Sequence, residues 1–119
     1  MTIELTQELG KVLITNDVVA NLAGSAALEC YGLVGMASRK QLKDGIAELL
    51  GRDNLSRGVE VRREQDKVEI DLYIIVSYGT KISEVAHQVQ NRVKYVLNDV
   101  IGLQVDGVNI FVQGVRVAR

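Results

Sequence analysis

Cys30 and His87 are the side chains that could act as a nucleophile or a general base, and each is the single residue of its type in the sequence. A catalytic histidine needs a nucleophile or an orienting carboxylate within reach. Glu84 and Asn91 each stand one turn from His87 on the polar side of a predicted helix, and we interpret His87 as a solvated surface residue. Cys30 falls on the apolar side of another predicted helix, near its C-terminal end, where the helix dipole raises a thiol pKa. We therefore interpret Cys30 as a core residue and predict that the protein is not an enzyme.

Metal and cofactor sites are also not indicated. One cysteine excludes an internal disulfide and a thiolate cluster, and one histidine cannot by itself form a metal site. Glu69 and Asp71 share one face of a predicted strand, but no other carboxylate is spaced to complete a site with them. We interpret that face as solvated and predict no catalytic, cofactor-binding or metal-binding residue.

The segment Gly32-Leu33-Val34-Gly35 has the Gly-x-x-Gly form of the loop by which KH domains clamp RNA. That loop joins two helices and usually carries a basic residue, whereas Leu33 and Val34 favour burial, so entry into a strand is the main interpretation. A basic-leaning region follows: Arg39, Lys40, Lys43, Arg52, Arg57, Arg62 and Arg63. Acidic residues interleave with it, which favours a mixed solvated surface. Weak RNA binding through the Gly32–Gly35 loop and these basic residues is the alternative prediction.

The overall composition describes one small globular domain. The chain has 119 residues, 47% of them hydrophobic, with only 4% aromatic residues, no proline and a net charge of −1. We predict a single domain over residues 1–119, with a core of aliphatic side chains. A charge near zero gives no general attraction to nucleic acid or anionic lipid, so nucleic acid is an unlikely partner. We see no signal peptide and no apolar run of about 18 residues, and so expect a cytoplasmic chain without direct membrane insertion.

The first half predicts short elements. We expect strands at 3–5 and 11–14, then a helix capped by Thr15 or Asn16 that carries many small residues and reaches Cys30. Gly32 is a suitable residue to stop this helix. A buried strand at 33–37, a helix at 40–50 and a polar loop at 51–58 follow.

The second half has clearer periodicity. After a strand that begins at Val59 and a hairpin connection at 63–67, alternate residues from Val68 to Val76 place one apolar face on a long strand. Thr80 is a candidate N-cap for a helix at 82–101, which Gly102 ends. The last strand, at 105–117, is rich in valine and has Gly114 as a candidate bulge. The sequence therefore predicts an α+β fold, a single small sheet with amphipathic helices packed on it.

Three blocks of residues resemble the alkaline shock protein family, also called the Gls-type envelope stress response family. They are CYGLVGMA at 30–37 after the small-residue helix, VEIDLYIIVSYG at 68–79 continued by TKISEVAHQVQNRVKYVL at 80–97, and VNIFVQGV at 108–115. The order covers nearly the whole chain and is most similar to the short housekeeping branch of Gram-positive bacteria.

The resemblance implies a bacterial, cytoplasmic protein linked to envelope stress or envelope homeostasis. It also implies protein partners, among them a membrane anchor protein, and it supplies no catalytic residues. With the residues themselves, it predicts a non-enzymatic protein-interaction module. The valine-rich last strand could also pair with a second copy and form a homo-oligomer, unless Gly114 twists it away.

Overall fold

The computed structural model describes residues 2–39 and 49–117. Its elements are β1 (Thr2–Gln7), β2 (Gly10–Thr15), α1 (Asn16–Leu28), β3 (Leu33–Met36), a 3₁₀ helix (Arg52–Gly58), β4 (Val59–Glu64), β5 (Lys67–Ser77), α2 (Ile82–Ile101) and β6 (Gly107–Arg116). Helices and strands in this order confirm the α+β class. The predicted helix at 40–50 lies almost wholly outside the described residues.

β5 is the centre of a four-stranded sheet. β6 pairs with it in parallel along nearly its whole length, from Glu69 opposite Gly107 to Ser77 opposite Arg116. Consequently β3 and β4, which are antiparallel to β5, share its other edge: β4 pairs with the first half and β3 with the second. The parallel pair needs a crossover connection, and α2 supplies it. The register shifts between Ile74 and Ile75, which confirms the bulge predicted near Gly114.

The two faces of β5 have different coverings. Val68, Ile70, Leu72, Ile74 and Val76 are buried in the main core, as the alternation predicts. The opposite face begins with charged residues and continues with Tyr73 and Ile75, and Ile75 is also buried. The core thus fills the space between one face of the sheet and the two helices.

Small residues let α1 pack closely. Thr15 caps the helix by accepting a hydrogen bond from the Val18 backbone N–H at 3.4 Å, and Asp17 lies in the first turn, where the dipole favours a carboxylate. A Cβ placed on Gly24 would lie 3.1 Å from the Cβ of Leu55 in the 3₁₀ helix. The helix ends at Leu28, earlier than the predicted stop at Gly32.

α2 matches its predicted bounds. Val85, Val89, Val93 and Leu97 form its buried stripe. Gly102 takes the left-handed conformation at the C-cap, with φ of 69°. The predicted N-cap is wrong: the helix is preceded by Lys81, and the Thr80 hydroxyl instead donates to the Ser77 carbonyl at 2.7 Å.

Two other details differ from the sequence prediction. β1 and β2 form a two-stranded sheet of their own, so the protein has a second, smaller sheet beside the predicted one. Residues 52–58, predicted as a loop, form the 3₁₀ helix. This segment is mostly polar, so it has no hydrophobic periodicity from which a helix of this length could be predicted.

Candidate functional site

The Gly32–Gly35 segment is a strand entry. Gly35 lies within β3, and Gly32 has φ of 89° in the turn before that strand. The Gly32 carbonyl accepts a hydrogen bond from the Ser77 N–H at 2.8 Å, which ties this turn to the end of β5. The segment therefore joins a helix to a strand, rather than two helices as in the RNA-clamping loop.

Cys30 is partly buried just beyond the end of α1. Its Sγ lies 3.9 Å from the Ala26 carbonyl oxygen. Burial raises the pKa of the thiol, Arg92 lowers it, and Glu29 raises it again, with a net increase. A raised pKa leaves less thiolate at neutral pH, which is the opposite of what a nucleophilic cysteine requires.

His87 is exposed on α2, as predicted. Its Nε2 lies 3.2 Å from the Nδ2 of Asn91, an amide that is neither a nucleophile nor a proton acceptor for a general base. Cys30 is thus partly buried and His87 is exposed, and the contacts described for each include no catalytic partner.

We expect a thiol reagent to label native Cys30 several times more slowly than the urea-unfolded chain, because burial restricts access and the raised pKa removes thiolate. His87→Ala should change the free energy of unfolding by less than about 0.5 kcal/mol. Labelling rates with and without urea, and urea melts of the variant, measure both effects. Equal labelling rates in the two states would contradict the burial of Cys30.

Two arginines of the basic-leaning region lie beside acidic side chains. Arg39 lies 3.9 Å from Glu60, and Arg62 pairs with Asp71. Lys40 and Lys43 lie outside the described residues. The interleaved acids predicted from the sequence therefore neutralise part of this region.

Asp71 is the main electrostatic feature that sequence reasoning missed. The alternation predicts a solvated strand face at this position, yet Asp71 is only 5% exposed, on the sheet face opposite the helices. Arg62 donates to it from Nε (2.9 Å to Oδ2) and from Nη2 (3.0 Å to Oδ1), and Asn109 donates from Nδ2 at 2.8 Å. Burial by itself would raise the pKa of Asp71, but these hydrogen bonds and the Arg62 charge outweigh it and lower the pKa. Three strands, β4, β5 and β6, are thus tied together on this face.

An aromatic pair lies next to this network. The rings of Tyr73 and Phe111 stack across β5 and β6, with centroids 4.8 Å apart and planes 14° apart. This separation equals the spacing of neighbouring strands, so the rings face each other instead of lying flat on the sheet. The facing surfaces are consequently not available to stack on a nucleic acid base.

Two open grooves have polar linings. The larger, of about 560 Å³, lies between α2 and the segment before β6, and is lined by Asn91, Lys94, Tyr95, Asn98, Gln104, Val105 and Asp106. The smaller, of about 310 Å³, borders the start of α1, where the Asn16 Oδ1 is buried and has no partner among the described residues. Neither groove encloses a reactive side chain.

Two of the places where apolar side chains are exposed are the β1–β2 hairpin and β6. The hairpin surface consists of Leu9 in the turn and Leu13 on the outward face of β2, which are 103% and 63% exposed. The β6 edge consists of Val112, Val115 and Val117, which are 37%, 49% and 70% exposed. The valines of the last strand already indicated the β6 edge in the sequence. The exposure of the hairpin surface could not be predicted, because it depends on how the short hairpin packs against the core.

Residues 2–39 and 49–117 offer neither a metal-binding cluster nor a membrane-spanning helix. They contain no cluster of three or more histidine, cysteine, aspartate or glutamate side chains that could hold a metal ion. Within the same ranges, no helix has the length and hydropathy needed to cross a bilayer.

Comparison with known proteins gives a consistent result. The model of the alkaline shock protein 23 family, described as having a cell envelope-related function, matches residues 4–117. The chain is 62% identical to YloU of Bacillus subtilis (strain 168), over all of this chain and 99% of that protein. It is 39% identical to Spy1614 of Streptococcus pyogenes serotype M6, over 98% of this chain and 97% of that one, and both relatives are described as uncharacterized. No solved structure matches significantly. With a family match over nearly its whole length, the chain belongs to the alkaline shock protein 23 family, whose function is related to the cell envelope.

Proposed function

We propose that the protein is a non-enzymatic, cytoplasmic interaction module of envelope homeostasis, held at the membrane by a protein partner. The observation that carries this proposal is the hairpin surface. Leu9 and Leu13 are more than half exposed on a two-stranded sheet that is separate from the main one. Exposed apolar side chains grouped on one surface are typical of protein-binding sites.

The way the hairpin is anchored supports this role. Ile3 is buried, and Leu5 and Ile14 pack against the core, so the root of the hairpin is fixed. The tip is different, because Leu9 lies in the turn and Leu13 lies opposite Glu4 on the face away from Ile3. A two-stranded hairpin is only marginally stable by itself, and a partner that covers the tip would both bury the leucines and stabilise the strands.

Photo-crosslinking in living cells tests the proposal. A photoreactive amino acid at Leu13 should form crosslinks to a protein of the membrane fraction, because this position lies in the proposed contact. The matched control is Lys94, which is exposed on α2 in a polar setting. Equal crosslinking from Leu13 and Lys94, or none from Leu13, would contradict a partner on the hairpin.

The purified protein should not bind protein-free anionic vesicles at physiological salt. Its net charge of −1 provides no attraction to an anionic bilayer surface. Cosedimentation with vesicles measures this, and a membrane fraction from cells, with and without protease treatment, is the control. Strong binding to the protein-free vesicles would replace the protein anchor with a direct lipid contact.

RNA binding through the Gly32–Gly35 loop is the competing function. Contacts between basic side chains and phosphate weaken steeply as salt rises, whereas an apolar protein contact does not. Titration with single-stranded RNA at two salt concentrations distinguishes the two functions. Salt-sensitive RNA binding that is lost in Arg39→Ala would favour the RNA-binding function.

A further inference from the structure

The larger polar groove, of about 560 Å³, has walls from two separate parts of the fold. Asn91, Lys94 and Asn98 line one wall from the exposed side of α2. Gln104 lines the other wall, from the segment that leads into β6. The volume lies within the range of small-molecule sites, which is about 300–1,000 Å³. We propose that this groove, the α2 groove, binds a neutral sugar of one or two rings.

The charges in the α2 groove favour a neutral ligand. Lys94 brings one positive charge and Asp106 brings one negative charge, so the two cancel. The Asp106 carboxylate is also already in use, because its Oδ2 accepts a hydrogen bond from the Val68 backbone N–H at 2.7 Å. A phosphate or carboxylate ligand would meet a single lysine, and a carboxylate of its own sign in the same lining. A neutral molecule meets neither repulsion.

The lining also supplies hydrogen-bonding groups that the fold does not use. The side chains of Lys94, Asn98 and Gln104 make no hydrogen bond or ion pair within residues 2–39 and 49–117. The Asn91 Nδ2 lies 3.2 Å from the His87 Nε2, which leaves the Asn91 Oδ1 as an acceptor. An amide both donates and accepts, as a hydroxyl does. A sugar hydroxyl can therefore take the place of a water on these amides without loss of hydrogen bonds.

The spacing of the amides distinguishes a sugar from a flat heterocycle. Asn91 and Asn98 are seven residues apart, which is about 10 Å along a helix, and Gln104 lies on the facing wall. The rim of a sugar has hydroxyl groups in many directions, whereas a nucleobase has hydrogen-bonding groups at its edges and stacks through its flat faces. Val105 is the one aliphatic residue among the described residues of the lining, and it is only 3% exposed. The groove therefore lacks the apolar walls of a slot for a base.

Tyr95 gives the groove an aromatic surface for the ring of a sugar. It is 60% exposed, and the Arg92 guanidinium carbon lies 5.8 Å from the centroid of its ring. Arg92 is itself held by Glu29, whose Oε2 lies 2.6 Å from Nη2 and 2.8 Å from Nε. The ring is thus positioned before a ligand arrives, which lowers the entropy lost on binding. The C–H groups of a sugar carry slight positive charge and pack against the negative face of an aromatic ring.

NMR titration of the isotopically labelled full chain tests the proposal. Asparagine and glutamine side chains give NH2 signals of their own, so the lining can be observed directly. Of glucose, N-acetylglucosamine and maltose, at least one should shift the signals of Asn91, Asn98 and Gln104, with a Kd of about 1 mM. The signal of Gln88, an exposed amide on α2 outside the groove, should not move. No shift with any of these sugars at tens of millimolar would overturn the proposal.

Two variants and a matched control locate the site. Tyr95→Ala removes the aromatic surface and should weaken the binding of the best probe at least about tenfold. Asn98→Leu keeps the size of the side chain but removes its hydrogen bonds, so it should weaken binding about fivefold, and it serves alone if Tyr95→Ala fails to fold. Gln88→Ala removes an amide from the same helix and should leave the Kd unchanged. Full affinity in the groove variants that circular dichroism shows to be folded would overturn the inference.

Two further probes test the class of ligand. Inorganic phosphate tests for an anion site at Lys94, and cytosine tests for a nucleobase site. Either probe should shift the groove amides less than the best sugar does, and the reverse order would overturn the assignment to a sugar. These titrations use the purified chain, so their outcome is independent of the partner proposed for the hairpin surface.

Discussion

Gly32→Ala should lower the free energy of unfolding by about 3 kcal/mol, from the strain of the backbone and a steric clash. Gly32 has φ of 89°, a conformation that side chains with a Cβ rarely adopt. A Cβ at this position would also lie 2.7 Å from the Cγ2 of Val85, a buried residue of α2, and 3.3 Å from the Cγ2 of Thr80. The turn, the end of β5 and the start of α2 would have to move apart. Urea denaturation followed by circular dichroism measures the loss.

Gly35→Ala is the matched control within the same motif. Its Cβ would lie 2.7 Å from the Cδ1 of Leu49, the far end of a flexible side chain that can rotate away. The expected loss is therefore smaller, about 1 kcal/mol. If the motif also clamped RNA, both variants would in addition weaken RNA binding. Equal losses of stability in the two variants would contradict the packing described for Gly32.

Asp71→Ala should lower the free energy of unfolding by about 2 kcal/mol, because it removes the acceptor of charged hydrogen bonds that join three strands. Arg62 and Asn109 both lose their partner, although Arg62 retains some access to water. Glu64→Ala is the control. Glu64 is highly exposed and lies 3.9 Å from the Arg62 guanidinium, so its loss should change stability by less than about 0.5 kcal/mol.

The Asp71 network also predicts a pH dependence. The pKa of Asp71 in the folded chain lies below its ordinary value of 3.8. The stabilisation from its charge is thus fully present above the ordinary pKa and is lost as the pH falls through the folded one. Urea melts of the wild type and Asp71→Asn should differ at neutral pH and converge in acid. A difference that persists unchanged in strong acid would show that the charge of Asp71 does not contribute.

The second half of the chain could be predicted well because its signals are long and regular. Alternation from Val68 to Val76 spans a whole strand, and the stripe from Val85 to Leu97 spans several helical turns, so tertiary packing had little to override. Shorter signals were less informative. The Thr80 hydroxyl could cap a helix or close a turn, and only its contact with Ser77 selected the turn.

Sequence alone was sufficient for the α+β class, for β5 and α2, for the exposure of His87 and for the resemblance to the family. These properties depend on local periodicity and on blocks of neighbouring residues. The tertiary structure decided which strand pairs with which, and this placed Asn109 next to Asp71 although 38 residues separate them. It also decided that β6 lies at an edge and that the hairpin forms its own sheet. Burial, pairing and exposure of this kind arise from contacts between distant segments, and no local pattern in the chain encodes them.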